Sequence, residues 1–231
     1  MAESLLTLEG VSRTYGQEVL VHALREVSLD IRAGEFLSIV GPSGSGKSTM
    51  LGLLGVLDLP TSGVISIRGT DVTKLPDAER SRLRGSAIGF VFQQFHLVPH
   101  LTGLGNVETA LLYRGLSRRE RRERSMAALE QVGLDHRHDH RPIQMSGGEQ
   151  QRVAIARAIV TEPDVVLADE PTGALDTQNA ANVMEIFGGL CSPERAICVV
   201  THDREVADAA DRRISMRDGR IVADDRLGGV T

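Results

Sequence analysis

The chain has 231 residues, 41% of them hydrophobic and 25% charged, and a formal net charge of −5. This length supports one full hydrophobic core, and the negative charge argues against a dedicated nucleic-acid binder, which presents a strongly basic surface. The first residues lack the pattern of a secretory signal, and the longest apolar stretch, residues 51–59, is far shorter than the roughly 20 residues that span a bilayer. We therefore expect a chain that does not cross a membrane by itself.

The first part of the chain is predicted to combine several strands with two short helices. Alternating or β-branched runs predict the strands, at residues 5–11, 24–31, 36–40, 64–69 and 88–93. A loop followed by a helix is predicted over residues 41–57, and a second helix over residues 77–85. The first forty residues are therefore expected to be mainly β structure.

From about Val98 the pattern of the sequence changes. Residues 104–162 show helical periodicity and almost no strand signal. Ser117 with Glu120 three residues later predicts a capping box at the start of one of these helices. This segment is therefore predicted to be helical.

The last part of the chain returns to strands. Residues 165–170 and 196–200 are short apolar runs, which are typical of buried parallel strands, and residues 179–190 predict the helix between them. Residues 212–225 predict a closing hairpin with an Asp-Gly turn. The whole pattern predicts an α/β core with a helical insertion at roughly residues 95–162.

Residues 41–48, GPSGSGKS, fit the pattern G-x-x-x-x-G-K-[ST] and follow the apolar strand FLSIV. The glycines let backbone N–H groups point at phosphate oxygens, and the N-terminus of the following helix adds a favourable potential. Lys47 is predicted to bridge the β- and γ-phosphates of a nucleotide, and Ser48 to place its hydroxyl oxygen on Mg²⁺. The alternative is a flexible glycine loop, and the strand–loop–helix context argues against it. The segment therefore predicts a nucleotide site.

Two acids end the apolar run VVLADE. Asp169 is predicted at the carboxyl end of a buried strand, where ligands bind in open α/β sheets, and is suited to support Mg²⁺. Side chains alternate along a strand, so Glu170 can point elsewhere and polarise the water that attacks the γ-phosphate. The alternative is a solvent-exposed acidic turn before Pro171.

Two further residues allow two interpretations each, and a third indicates nothing by itself. His202 follows an apolar strand and either senses a γ-phosphate or is a structural or exposed side chain. Gln93 closes another strand and by itself indicates nothing. Tyr15, expected in a loop between strands, either packs against the core or stacks on a nucleotide base.

Residues 145–149, MSGGE, form a second glycine-bearing turn before a predicted helix. Ser146 as N-cap with Glu149 three residues later predicts a capping box. Capping alone does not explain why a chain with one phosphate-binding loop has a second glycine-rich helix start.

Taken in order, these motifs resemble the nucleotide-binding subunit of an ATP-binding cassette (ABC) transporter, over essentially the whole chain. The order and spacing of the motifs make the resemblance specific, rather than any single motif. They are TYG at Tyr15, GPSGSGKST, VFQQ at Gln93, MSGGEQQR, VVLADE, GALD at 173–176 and THD at 201–203. The family's usual LSGGQ is MSGGE here, and a change at Glu149 is also familiar within the family.

The resemblance implies a fold and a domain organisation. The fold is α/β, a P-loop NTPase core with a parallel sheet, an N-terminal antiparallel β subdomain and an inserted α-helical subdomain. Residues 1–231 are then a single ABC ATPase domain. Residues 1–94 and 163–231 supply the catalytic core with the β subdomain, and residues 95–162, approximately, the helical subdomain.

The resemblance also implies roles for the matched residues. Tyr15 is similar to the adenine-stacking residue. Gln93 is similar to the residue that touches Mg²⁺ and the attacking water and links to the membrane subunit. Asp169 resembles the acid that supports the metal, Glu170 the general base and His202 the γ-phosphate switch.

Two groups of residues resemble the family's nucleotide-contacting segments. The phosphate cradle is implied to comprise Gly41, Pro42, Ser43, Gly44, Ser45, Gly46, Lys47, Ser48 and Thr49, with Ser48 on Mg²⁺. In the family, the turn matched here by Ser146, Gly147, Gly148 and Glu149 contacts the ATP held by the opposite subunit. Asp176 resembles the residue that communicates across the dimer.

These roles imply an ATP-hydrolysing subunit with ATP and Mg²⁺ as cofactors, which forms an ATP-dependent head-to-tail homodimer. Its implied place is the cytoplasmic, inner face of the cell membrane, on a separate integral membrane permease, with no nucleic acid as partner. LADEPTGALD and RLRGSAIGFVFQ are most similar to the macrolide-efflux and lipoprotein-release (MacB/LolD-type) branch, which implies export or force transmission. The alternatives are an amino-acid importer ATPase, to which VFQQFHLVPHLT is also similar, and a soluble single-cassette protein of the iron–sulfur assembly type.

Overall fold

The computed structural model describes residues 3–16 and 18–227. The strands, in chain order, are β1 Ser4–Tyr15, β2 Val21–Arg32, β3 Phe36–Val40, β4 Ser62–Ile67, β5 Thr70–Asp71, β6 Ile88–Phe92, β7 Val165–Asp169, β8 Ala196–Thr201, β9 Arg212–Arg217 and β10 Arg220–Arg226. The α-helices are α1 Lys47–Leu54, α2 Asp77–Ala87, α3 Gly103–Glu108, α4 Arg118–Gln131, α5 Gly147–Ile159, α6 Thr177–Leu190 and α7 Arg204–Asp208.

The strands form two sheets. The central sheet has the order β10-β9-β3-β8-β7-β6, and its strands β9, β3, β8, β7 and β6 run parallel to one another. The edge strand β10 pairs with β9 in antiparallel fashion. The second sheet, β2-β1-β4-β5, is wholly antiparallel. The predicted α/β class, with an N-terminal antiparallel part, is confirmed.

The central strands are apolar throughout because both faces of their sheet are covered. Four of the five residues of β3 are buried, and all six residues of β8 are buried. Alternate residues of β8 enter different hydrophobic clusters: Cys198 and Val200 the first, Ile197 and Val199 the second. This explains why the strand signal in the sequence is a continuous apolar run rather than an alternation.

Each face of the central sheet carries its own packing layer. The first cluster joins the sheet to α1 and to the antiparallel sheet. The second joins it to side chains from α3, α4, α5 and α6, among them the fully buried Phe187. Residues 95–162 therefore share a core with the sheet, chiefly through α5, which packs against β6.

Several predictions of local structure are confirmed. Ser117 and Glu120 form the predicted capping box at the start of α4. The hairpin β9–β10 turns at Asp218 and Gly219, which have φ values of 49° and 76°. Two consecutive positive φ values fit a type I′ turn, which Asp-Gly favours. The short helix α7 was not predicted from the sequence.

The two cysteines are free thiols within the fold. Cys198 is completely buried in β8, and burial raises its pKa to about 12. Cys191 is half-buried at the end of α6, and burial raises its pKa as well. Both thiols are therefore poorly reactive, because the thiolate is the nucleophilic form. Within residues 3–16 and 18–227, no helix is long and apolar enough to cross a membrane.

Candidate nucleotide site

Three parallel neighbours of the central sheet end at one edge. β3, β8 and β7 lie side by side, with Val40 opposite Thr201 and Asp169 opposite Val200. The segments that follow these strands begin with Gly41, His202 and Glu170, respectively. The topology therefore brings the three predicted motifs to one place, at the edge where ligands bind in open α/β sheets.

Residues 41–49, here called the P-loop, leave the N-terminus of α1 open. Gly44 and Gly46 have φ values of 78° and 100°, a region that glycine occupies without strain. The N-cap is Gly46, so no side chain caps the helix, and its first turn contains no acidic residue. The free N–H groups at a helix start are a favourable place for an anion.

The Lys47 side chain lies across the P-loop to which it belongs. The Lys47 ammonium donates hydrogen bonds to the carbonyl oxygens of Gly41 and Pro42, at 2.7 and 3.1 Å. The loop is held closely against its surroundings: a Cβ atom at Gly41 would lie 2.4 Å from the Met216 carbonyl oxygen. The Ser45 hydroxyl is buried without a hydrogen-bond partner among the described residues. A close-fitting loop with an open helix end and an ammonium group fits a phosphate chain.

The acids after β7 lie in different environments. Asp169 is half-buried, and burial raises the pKa of its carboxyl group, as does the nearby charge of Glu170, while Lys47 lowers it. Glu170 has a φ of 45°, an uncommon value for a residue with a side chain, and its N–H donates to the Val200 carbonyl at 2.9 Å. This backbone conformation turns the chain out of the sheet at Glu170.

Glu170 and His202 form the central contact of the site. Nδ1 of His202 lies 2.7 Å from Oε1 of Glu170, and the Thr201 hydroxyl donates to Oε2 of Glu170 at 3.3 Å. The hydrogen bond to Glu170 raises the pKa of His202. The His202 side chain is 74% exposed and that of Glu170 18%, so the pair lies at the surface with the carboxylate on its inner side.

Gln93 lies beside this pair. A cavity of about 530 Å³ is lined by Gln93, Glu170 and His202, together with residues of α6 and α7. A Cβ atom at Gly173 would come 2.8 Å from Nε2 of Gln93, so a larger residue there would displace the amide. The structure therefore brings Gln93, Glu170 and His202 together around one cavity.

Tyr15 is not in a loop, and that expectation is wrong. It is the last residue of β1, paired with Val21 of β2, because the strand pairing of the hairpin extends further than its apolar pattern. The Arg13 guanidinium lies over one face of the ring, 4.5 Å from its centroid. The Tyr15 hydroxyl donates to Asp58 at 2.9 Å. One ring face is covered, and the residue as a whole is 39% exposed.

Residues 145–149, here called the signature turn, begin α5 with the predicted capping box. Ser146 Oγ accepts from the Glu149 N–H at 3.2 Å, and the Glu149 carboxylate accepts from the Ser146 N–H at 2.8 Å. The backbone hydrogen bond from Ser146 is the main cause that lowers the pKa of Glu149, and Arg137 pairs with the same carboxylate at 3.2 Å. In the described part of the chain, no hydrogen bond or ion pair joins this turn to the P-loop.

The signature turn packs against the segment that follows Glu170. Asp176 caps α6, accepting from the Asn179 backbone at 2.9 Å and from its side-chain amide at 2.7 Å. Gly148 lies against the same Asn179, where a Cβ atom would come 2.4 Å from its Oδ1. A Cβ atom at Gly147 would touch Leu175 at 3.4 Å. Asp176 and the signature turn are therefore neighbours within one chain.

Sequence reasoning missed two polar residues of α5. Arg157 donates to the carbonyl oxygens of His96 and Phe95, at 2.6 and 2.8 Å, and burial lowers its pKa. Gln151 is fully buried and donates to the Pro171 carbonyl at 2.7 Å. Their signal is their position: both lie among the buried apolar residues of an amphipathic helix, where a polar side chain needs a partner.

The chain is similar to proteins of one family. A family model described as ABC transporter matches residues 24–173. The uncharacterized ABC transporter ATP-binding protein YvrO of Bacillus subtilis is 47% identical over 224 residues, which cover 96% of this chain and 97% of that protein. The macrolide export ATP-binding/permease protein MacB 2 of Aeromonas hydrophila is 50% identical over 227 residues, which cover 97% of this chain but 35% of that protein.

A solved structure shares the whole fold. The dimeric structure of a post-hydrolysis state of the ATP-binding cassette MJ0796, bound to ADP and Pi, superposes with a TM-score of 0.88 at 44% sequence identity. The match covers 97% of this chain and 100% of that chain.

Proposed function

The chain belongs to the ABC transporter family, and from this premise we propose that two copies close head to tail around two ATP molecules and drive a separate membrane permease. The resemblance to an ATP-binding, ATP-hydrolysing cassette with ATP and Mg²⁺ as cofactors is confirmed. One observation carries the assignment of the chemistry: the Glu170 carboxylate is held 2.7 Å from His202 at the sheet edge where the P-loop begins.

In the proposed mechanism the P-loop holds the phosphates of the chain's own ATP. Lys47 exchanges the carbonyl oxygens of Gly41 and Pro42 for the more strongly accepting oxygens of the β- and γ-phosphates. The uncapped N-terminus of α1 supplies further N–H donors. Tyr15 offers the adenine the ring face that Arg13 leaves free.

Three residues are suited to hold Mg²⁺ in this site. Ser48 and Gln93 can supply oxygen ligands, and Asp169 supplies a carboxylate whose pKa is raised mainly by burial. When bound, Mg²⁺ neutralises charge on the transferring phosphoryl group. Hard oxygen donors such as these are the ligands that Mg²⁺ prefers.

Glu170 is proposed as the general base. Its carboxylate lies on the inner side of the pair with His202 and lines the cavity that also contains Gln93. It accepts a proton from the attacking water as the γ-phosphate is cleaved, while His202 orients the carboxylate and hydrogen-bonds the phosphate.

The signature turn is proposed to complete the partner's site. Ser146 Oγ accepts the Glu149 N–H, which leaves the hydroxyl proton free to donate to a phosphate. The N–H groups of Gly147 and Gly148 belong to the first turn of α5, which attracts an anion. Asp176 lies at the same surface and is proposed to communicate the state of one site to the other.

The permease, the location and the branch are further proposals. Residues 95–162, the proposed helical subdomain, contain the segment after Gln93 at which the family docks its membrane partner. We place the chain at the cytoplasmic face of the membrane, in the MacB/LolD-type branch, with export or force transmission as its output. The relative MacB 2, which carries ATP-binding and permease functions in its name, supports this branch.

The Glu170→Gln variant tests the mechanism. The amide cannot accept the proton, so we expect turnover to fall by at least about 10²-fold while ATP binding persists. With ATP and Mg²⁺ the variant should elute as a dimer in size-exclusion chromatography.

Asp77→Asn is the control for loss of a negative charge, because Asp77 lies on α2 with a side chain 85% exposed. Hydrolysis by Glu170→Gln at the native rate would exclude Glu170 as the base.

Purification from membranes should recover an integral membrane protein with the chain, and its absence would count against the permease.

A further inference from the structure

One buried amide connects the helix of the signature turn to the segment that carries the proposed base. Gln151 lies in the second turn of α5 with none of its surface exposed. Its Nε2 donates to the carbonyl oxygen of Pro171 at 2.7 Å. Pro171 directly follows Glu170, so this contact fixes the backbone one residue after the proposed base.

Two further backbone hydrogen bonds hold the turn at Glu170. The Glu170 N–H donates to Val200, and the Glu170 carbonyl accepts from the Gly173 N–H at 3.1 Å. Glu170 itself has a φ of 45°, a conformation that persists only where its surroundings enforce it. Among the described residues, the hydrogen bond to the Pro171 carbonyl comes from Gln151.

Burying this amide has a cost that packing alone does not explain. Gln151 Oε1 is also buried and has no hydrogen-bond partner among the described residues. A leucine or methionine at this position would fill the space without an unpaired Oε1, but it would remove the donor to the Pro171 carbonyl oxygen. The hydrogen bond from Nε2 to the Pro171 carbonyl oxygen offsets part of the cost of burying the amide.

We infer that Gln151 is a positioning residue for the base of its own chain, which holds the turn after Glu170 in the conformation that hydrolysis requires. This inference rests on the proposed function. Because Ser146 is the N-cap of α5, the helix that completes the partner's site also supports the base of its own site. One chain thus contributes to both sites of the dimer through one helix.

The experiment uses mixed dimers with one active site. One chain carries Glu170→Gln, so hydrolysis occurs only at the site with the intact Glu170. The two chains carry different affinity tags. Mixed dimers are isolated through both tags with ATP in the absence of Mg²⁺, and a single turnover is started by adding Mg²⁺. Gln151→Met is placed either on the chain with the intact Glu170 or on its partner.

We expect a loss of about tenfold or more in the single-turnover rate only when Gln151→Met lies on the chain with the intact Glu170, because displacing a catalytic group by about 1 Å can cost 10²-fold. A loss that is as large or larger when Gln151→Met lies on the partner would show that Gln151 acts through the signature turn, and no loss in either placement would show that it is not required. Both results overturn the inference.

A second variant separates the hydrogen bond from packing. Gln151→Glu keeps the shape, and its carboxyl group can donate to the Pro171 carbonyl only when it is protonated. Relative to the native protein, its rate should therefore stay high at low pH and fall as the pH rises. A rate as low as that of Gln151→Met at every pH would overturn the inference. Ser125→Ala removes a buried hydroxyl on α4 that has no hydrogen-bond partner within residues 3–16 and 18–227, and it controls for loss of a buried polar group.

The control dimers test the proposed function separately. Dimers of a native chain with a Glu170→Gln chain must form with ATP and hydrolyse it. If they do not form, the head-to-tail proposal fails together with the inference. If they form and hydrolyse ATP but the placement of Gln151→Met has no effect, only the role of Gln151 is lost.

Discussion

The P-loop and the signature turn are both glycine-bearing starts of helices, yet their helix ends are built differently. The N-cap of α1 is Gly46, with a φ of 100°, no side-chain cap and no acid in the first turn. The N-cap of α5 is Ser146, which has an extended backbone and forms a reciprocal capping box with Glu149. The first helix end leaves its N–H groups for an anion, whereas the second already satisfies part of its own.

The glycines of the two turns answer different needs. Gly44 and Gly46 adopt positive φ values that the path of the P-loop requires. Gly147 and Gly148 have ordinary φ values but lie against Leu175 and Asn179, where a side chain has little room. Glycine is therefore needed for its backbone conformation in the P-loop and for its small size in the signature turn.

The sharpest test of the comparison is complementation between two inactive variants. Glu170→Gln removes the base, and Ser146→Arg obstructs the surface offered to the partner, so each alone should lose at least about 10²-fold in turnover. A mixed dimer has one site built from the native Glu170 of one chain and the native Ser146 of the other. Mixing the two variants should therefore restore ATP hydrolysis.

Binding of a fluorescent ATP analogue to each variant provides the control. Ser146→Arg should bind the analogue as the native monomer does, because the altered turn serves the partner. If the variant monomer loses binding, or if mixing restores no hydrolysis, the two turns belong to the same site and the comparison fails.

Gly46→Ala is expected to have the next largest effect. The added Cβ atom would lie 2.5 Å from the Ala23 carbonyl oxygen, at a φ of 100°. Strain and the contact together should cost more than about 2 kcal/mol in the free energy of unfolding, measured in urea. Gly52→Ala on the same helix is the matched control, since no described atom beyond its chain neighbours and its own helix backbone lies within 4 Å of its Cβ position. It should stabilise the protein by about 0.5–1 kcal/mol, and an equal loss in both variants would contradict this account.

Glu149→Gln should have the smallest effect. Its main cost is the charged half of the capping box, so we expect a loss of up to about 1 kcal/mol at neutral pH. The folded protein lowers the pKa of Glu149 below its ordinary 4.5, so its stabilisation is complete above that value and disappears as the pH falls through the folded value. Urea unfolding of both proteins across this range should show their difference vanish in acid. A difference independent of pH would show that the carboxylate charge is not involved.

Much of the fold was predictable because its signals are local. Apolar runs indicated the parallel strands β3, β7 and β8, and the residue pairs Ser117–Glu120 and Ser146–Glu149 indicated helix starts. Capping and turn formation involve residues three or four apart, so their chemistry is visible in a short window of sequence. The same holds for the P-loop, whose pattern is contiguous.

The arrangement of the site depends on contacts between residues far apart in the chain, which no local pattern encodes. Glu170 and His202 are 32 residues apart, and Arg157 lies 62 residues from the Phe95 carbonyl that it binds. Tyr15 was misplaced for a related reason, since its strand continues through pairing with β2 after its apolar signal ends. Gln151 could have been noticed only as a polar residue in an apolar stripe, without any indication of its partner.

The two unreactive thiols have a practical consequence. Cys198 is sealed inside β8 and Cys191 is half-buried, and the pKa of each is raised, so alkylating reagents should react with them slowly. A single new cysteine at an exposed position outside the nucleotide site, such as Asp77→Cys on α2, should therefore accept a spin label or fluorophore almost alone. Distances between labels on the two copies of the dimer would then report, in real time, how far the copies separate during each cycle of ATP hydrolysis.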